Sequence, residues 1–143
     1  MDGQSADKQG MSMWISELLK ELQSALRKLD EALRAQQSPE VNHLITSTSN
    51  TVCMYFQRAR VQVNILGNPD HPQAQKYDEL LQTYLDLVQK AIRRGGWSPQ
   101  ESLQFEHNYN HTKTRIDARQ EGRLEQQEST RKTVEAVLAA VAG

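Results

Sequence analysis

Residues 15–33 read ISELLKELQSALRKLDEAL, placing Ile15, Leu19, Leu22, Leu26, Leu29 and Leu33 at intervals of 4, 3, 4, 3 and 4. That alternation keeps the large apolar side chains on one stripe of an α-helix, a stripe that leaves water only by meeting other helices. Leu18, Ala25 and Ala32 recur every seventh residue beside it and widen the stripe. The seam covers under about 3 heptads, short of a free-standing coiled coil. Its widened flank asks for two neighbours rather than one. The expectation is an internal core seam, not a dimerisation zipper.

Three stop signals divide the rest of the chain into further helices. Residues 1–11 are polar and Gly-containing and read as a mobile tail, with Ser12 positioned to cap a first helix from about Met13 to Gln36. Ser38-Pro39-Glu40 supplies a cap, a proline at the first helical position and a carboxylate against the positive helix end. The second helix then runs to Leu66, where Gly67 and Pro69 end it. Asp70 or His71 caps a third helix, whose Tyr77, Leu81, Tyr84, Val88 and Ala91 repeat the seam spacing before Gly95-Gly96. Ser98 and Glu101 have capping-box spacing around Pro99, and no proline follows them. No alternating pattern long enough for a sheet occurs. The fold expected is all-α: an antiparallel four-helix bundle with an overlong C-terminal helix.

From Val41 to Gln57 the second helix carries no formal charge. A surface helix normally shows a charged face, so this pattern predicts burial on several sides. Val41, Leu44, Ile45, Val52, Phe56, Ala59, Val63 and Leu66 are the expected inner stripe. The run Thr46-Ser47-Thr48-Ser49-Asn50-Thr51 consists of poor helix formers. It reads as small side chains permitting close helix approach, as a kink, or as a polar binding site. Cys53 reads as an inert core thiol.

The fourth helix does not match the others in length. Running from Pro99 to Val141, it would span about 65 Å, against about 35–40 Å for each of the others. Leu103, Phe105, Tyr109 and Ile116 form its expected bundle-packed start, so that residues 12–116 make the core. Residues 117–143 begin as a charged stem and end in an apolar tip, with Val134, Val137, Leu138 and Val141 at i, i+3, i+4 and i+7. Either the helix breaks near Gly122 and the tip folds back, or the tip docks on another chain. Val134, Val137, Leu138 and Val141 are therefore the expected partner-binding residues.

Candidates for chemistry are sparse. His107 and His111 have the i,i+4 spacing of a metal-binding pair, with Glu101, Glu106 and Asp117 as possible supplements. The pair lacks the Glu of a zincin and the ExxH pattern of a di-iron bundle. Arg115, Arg119 and Arg123 form a ladder that would suit phosphates, while Asp117, Glu121 and Glu125 form an acidic ladder on the opposite side. Gly95-Gly96 lacks the Lys and Ser/Thr of a phosphate loop. Trp14 and Trp97 read as core lids. Nothing points to an enzyme or to a cofactor.

At 143 residues the chain has a single-domain length, and a mean hydropathy of −0.73 suits amphipathic helices. Its formal charge of −1 weighs against a strongly basic binder of nucleic acid or membrane surfaces. The single cysteine, the polar N-terminus and the lack of a long apolar run point to a cytoplasmic protein without a membrane span. The expected function is protein–protein interaction, by an adaptor, an assembly factor or a small secretion-type chaperone that self-associates. Small helical chaperones of secretion systems have this general size and composition, an analogy of fold alone. The alternatives are a metal- or cofactor-binding bundle using His107 and His111, and a nucleic-acid-binding helix using Arg115, Arg119 and Arg123.

Overall fold

A computed structural model describes residues 3–142, with side chains from residue 15 onward, and among the described residues there are four helices and no strand. They are α1 (Gly3–Arg34), α2 (Pro39–Leu66), α3 (Pro72–Arg94) and α4 (Pro99–Ala142). The local signals act as their chemistry requires. Ser38 Oγ accepts from the Val41 amide at 3.1 Å, and Gly67 closes α2 at φ 67°, the left-handed conformation open to glycine. His71, not Asp70, caps α3, with Nδ1 accepting from the Gln73 amide at 3.1 Å. The capping box of α4 is reciprocal: the Glu101 amide donates to Ser98 Oγ and the Ser98 amide to Glu101 Oε1.

Both ends of α1 differ from expectation, the far end by two residues, at Arg34 rather than Gln36. α1 starts at Gly3, so Ser12 lies inside the helix rather than at its cap. No proline precedes Pro39, and nothing steric halts the helix at Ser12. The side chain of Trp14, expected as a core lid, lies outside the described residues.

The cross-links of α3 with α2 and with α4 pair residues in opposite chain order. Asn42 on α2 donates to the Gly96 carbonyl beyond the end of α3, while Ser49 lies beside Tyr84 and Phe56 touches Tyr77. Between α3 and α4, Tyr84 meets Asn108 and Asp78 meets Arg119. α1 lies against α2 and α3, and α4 rests chiefly on α3.

The opening seam is the centre of the core: Ile15, Leu18, Leu19, Leu22, Ala25, Leu26, Leu29 and Ala32 are buried and Leu33 partly so. α3 faces them with Tyr77, Leu81, Tyr84, Val88 and Ala91, flanked by Leu80 and Leu87. α2 contributes Ile45, Ser49, Val52, Phe56, Ala59 and Val63, again at intervals of 4, 3, 4, 3 and 4.

That inner stripe corrects two expectations. Leu44 is exposed and Ser49 takes its place inside, and α2 is buried along one stripe rather than on several sides. Its outer face is open, with Leu44, Met54, Val61 and Ile65 all exposed. The Ser/Thr run leaves the helix unbroken. Its outer hydroxyls donate back into the helix, Thr46 to the His43 carbonyl, Ser47 to that of Leu44 and Thr51 to that of Ser47.

α4 is continuous through Gly122, so the helix does not break there and the tip does not fold back. Its buried residues are Phe105, Asn108 and Thr112, with Tyr109 and Ile116 partly buried. Leu103, expected to pack, is instead 66% exposed. Two residues before Phe105, it points about 200° around the helix from it, off the stripe that Phe105, Asn108, Thr112 and Ile116 define. Every residue from Leu124 to Ala142 is exposed or nearly so, about 28 Å of helix beyond the last contact with α3.

Candidate functional site

The expected partner-binding residues lie on the projecting part of α4. Val134, Val137, Leu138 and Val141 are 51%, 57%, 62% and 81% exposed. They share one helical face, with no covering segment among the described residues. Water therefore meets an apolar stripe that isolated surface residues do not make. An interrupted row follows the outside of α2, where the exposed Leu44, Met54, Val61 and Ile65 lie on a line that advances by alternating steps of 3 and 4. Ser47, Thr51 and Arg58 fill the positions between them. Hydropathy alone hid this stripe, since polar residues interrupt it.

His107 and His111 do come together. Their rings stack with centroids 5.9 Å apart and planes within 13°. His111 Nε2, however, accepts from Arg115 Nε at 3.1 Å, which occupies a nitrogen a metal would need. Burial, then the charge of Arg115, holds the His111 imidazole below its ordinary range. No cluster of three His, Cys, Asp or Glu side chains among the described residues is placed to hold a metal ion. The expected supplements Glu101, Glu106 and Asp117 do not complete the pair: Glu101 bonds back to its own helix start.

The arginine ladder faces the fold rather than open solvent. Arg119 binds Asp78 of α3 through two hydrogen bonds, Nε to Oδ1 at 2.8 Å and Nη2 to Oδ2 at 3.3 Å. Arg123 donates to the same Oδ2. The Arg119 guanidinium also lies over the Tyr77 ring, 6.0 Å from its centroid. Bidentate pairing to a carboxylate that is itself 17% exposed fixes the lower part of α4 against α3.

On the opposite side of these arginines, α4 and the C-terminal half of α2 border a cleft of about 540 Å³. Arg60 enters it from α2, and His111, Arg115, Arg119 and Arg123 from α4. Tyr77, Val63 and Ala118 supply apolar surface, and the Gly67–Pro69 turn closes one end. No carboxylate lines it. Gly122 lies on its wall, with nothing within 4 Å of where a Cβ would stand. In sequence Arg115, Arg119 and Arg123 stand out as a ladder, while Arg60 has no visible connection to them. Only the packing of both helices on α3 brings the two to one cleft.

A polar layer lies higher in the bundle, around Tyr84. Tyr84 Oη lies 2.6 Å from Ser49 Oγ, 3.1 Å from Cys53 Sγ and 3.3 Å from Asn108 Nδ2. Asn108 Oδ1 accepts from Gln104 at 3.0 Å. Burial pushes both the Tyr84 phenol and the Cys53 thiol up, so both stay protonated and unreactive at neutral pH. The inert-thiol reading of Cys53 agrees with this environment. At the top of α4, Trp97 donates to the Ala91 carbonyl at 2.7 Å and tilts onto Phe105 with centroids 4.6 Å apart, as a lid would.

No helix among the described residues is long and apolar enough to cross a membrane. The chain matches no known family model, no curated protein and no solved structure. The class defined by fold and surface is a four-helix all-α protein with apolar rows exposed on two of its helices.

Proposed function

We propose that this protein is a non-enzymatic protein–protein interaction module, an adaptor, assembly factor or small chaperone, that self-associates through apolar helix faces. The observation that carries the reading is the projecting end of α4, where Val134, Val137, Leu138 and Val141 stand in solvent on one face. Burying such side chains is worth about 1.5–3 kcal/mol each when complete. No described part of the bundle covers this helix end, and docking on another chain would supply that energy. The outer row of α2 offers a second, more polar surface, with Leu44, Met54, Val61 and Ile65 exposed between Ser47, Thr51 and Arg58. A reducing, cytoplasmic setting suits the single thiol at Cys53.

Light scattering on the full chain tests this. Val137→Asp with Leu138→Asp, and separately removal of the residues after Glu128, should lower the solution mass while far-UV helicity changes only by the residues removed. The mass of a monomer in all three proteins would overturn self-association through the tip.

A further inference from the structure

The cleft between α2 and α4 concentrates positive charge in a chain whose formal charge is −1. Arg60, Arg115, Arg119 and Arg123 line it, and Asp78 holds Arg119 and Arg123 from the α3 side. Among the described residues no carboxylate pairs with Arg60 or Arg115. Arg123 Nε is buried without an acceptor, since Asp78 takes the proton of Nη2 instead. Gathering like charges around one cavity is unfavourable unless an anion joins them. A buried guanidinium N–H without a partner is a donor aimed at nothing the chain provides.

The shape narrows the anion. At about 540 Å³ the cleft falls within the range of small-molecule sites and exceeds what one phosphate fills. Guanidinium groups match phosphate oxygens in paired hydrogen bonds, and they enter from two helices facing across the space. Tyr77, Val63 and Ala118 offer an apolar wall beside them. Gly122 costs α4 up to about 1 kcal/mol relative to alanine in a helix interior. At that position a side chain would project into the cleft.

We propose that this cleft binds a di- or triphosphate, free or carried on a small organic body, with Arg60, Arg115 and Arg123 contacting the phosphate oxygens. Arg119 supports the site by holding α4 on Asp78. The site is separate from the apolar rows on α2 and at the α4 tip, and its occupation does not depend on self-association.

Calorimetric titration of the full chain with inorganic pyrophosphate and with ATP tests the assignment. Both should bind, with an affinity that falls as salt rises. Equal affinities identify a site for the phosphate groups alone, and tighter ATP binding identifies use of the apolar wall. Arg60→Ala and Arg115→Ala avoid the Asp78 contacts, and each should weaken binding by about tenfold or more, as loss of a charged hydrogen bond implies. Gly122→Leu should abolish binding while leaving far-UV helicity intact. Bound pyrophosphate should also raise the titration midpoint of the His111 imidazole, read by NMR. Absence of binding by both probes would overturn the proposal, as would affinities unchanged by Arg60→Ala, Arg115→Ala and Gly122→Leu. Binding of duplex DNA that pyrophosphate does not compete away would instead identify a nucleic-acid surface and overturn it equally.

Discussion

Ser49 Oγ on α2 and Tyr84 Oη on α3 stand 2.6 Å apart inside the bundle, joining two helices through a hydrogen bond in a largely apolar core. Asn108 of α4 donates to the same phenol oxygen, so three helices meet at one hydroxyl. A polar group at such depth is tolerated only when its partners are present, and here each member satisfies another. The contact fixes the rotation of α2: turning it to bury Leu44 would take Ser49 away from Tyr84.

Tyr84→Phe removes the shared hydroxyl and leaves the Asn108 amide without its acceptor. Urea unfolding should show a loss of about 1–3 kcal/mol, the cost of an unsatisfied buried polar group. Ser49→Ala alone should cost less, because Tyr84 keeps Cys53 and Asn108 as neighbours. The double variant should depart from additivity by about 0.5 kcal/mol or more. Additive losses would show that the two hydroxyls do not act together.

Asp78 is the single carboxylate between Arg119 and Arg123. Asp78→Asn leaves both guanidiniums without their counter-charge at a partly buried position. A loss of about 1–3 kcal/mol is expected, between the values for exposed and buried pairs. Hydrogen exchange should quicken in α4 near residues 112–123 more than in α1. Uniform quickening across all helices would contradict a local clamp.

The caps and seams were legible because they depend on spacing within one helix. Ser38, His71 and Ser98 sit beside the amides they bond, and the rows from Ile15 to Leu33 and from Tyr77 to Ala91 need only i, i+3 and i+4 geometry. The inner face of α2 was not legible, because Ser49 is held inside by a partner 35 residues away. Hydropathy places a serine outside and a leucine inside, and it exchanged Ser49 with Leu44. The stripe of α4 was missed for the same reason at Asn108 and Thr112. The tip at Val134 to Val141 was visible as a pattern, but its exposure required knowing that Gly122 leaves the helix intact. The cleft draws Arg60 from one helix and Arg115 from another, a meeting set by packing alone.

Gly122 stands in the interior of α4, and a Cβ added there would have no atom within 4 Å outside its own helix backbone. Gly122→Ala should therefore stabilise the protein by about 0.5–1 kcal/mol, through helix propensity and a smaller unfolded-state entropy. Thermal unfolding should show a higher midpoint and equal or greater helicity. A lower midpoint would mean that α4 bends at this residue in solution.

His111 is held below the ordinary imidazole range by burial first and by the charges of Arg115, His107 and Arg60 after it. The folded protein thus binds the His111 proton less readily than the unfolded chain, whose midpoint is about 6.5. With the folded value depressed, the unfolded state carries more protons as pH falls through this window. The contribution of His111 to stability is complete above about pH 6.5 and is lost as pH falls through the folded value. The imidazole is only slightly withdrawn from water, which keeps the effect small. NMR titration should place its imidazole midpoint below about 6.5. Urea unfolding of His111→Gln should show a shallower decline between neutral and mildly acidic pH than the parent chain. An imidazole midpoint above about 6.5 would mean that a carboxylate, rather than Arg115, faces His111 in solution.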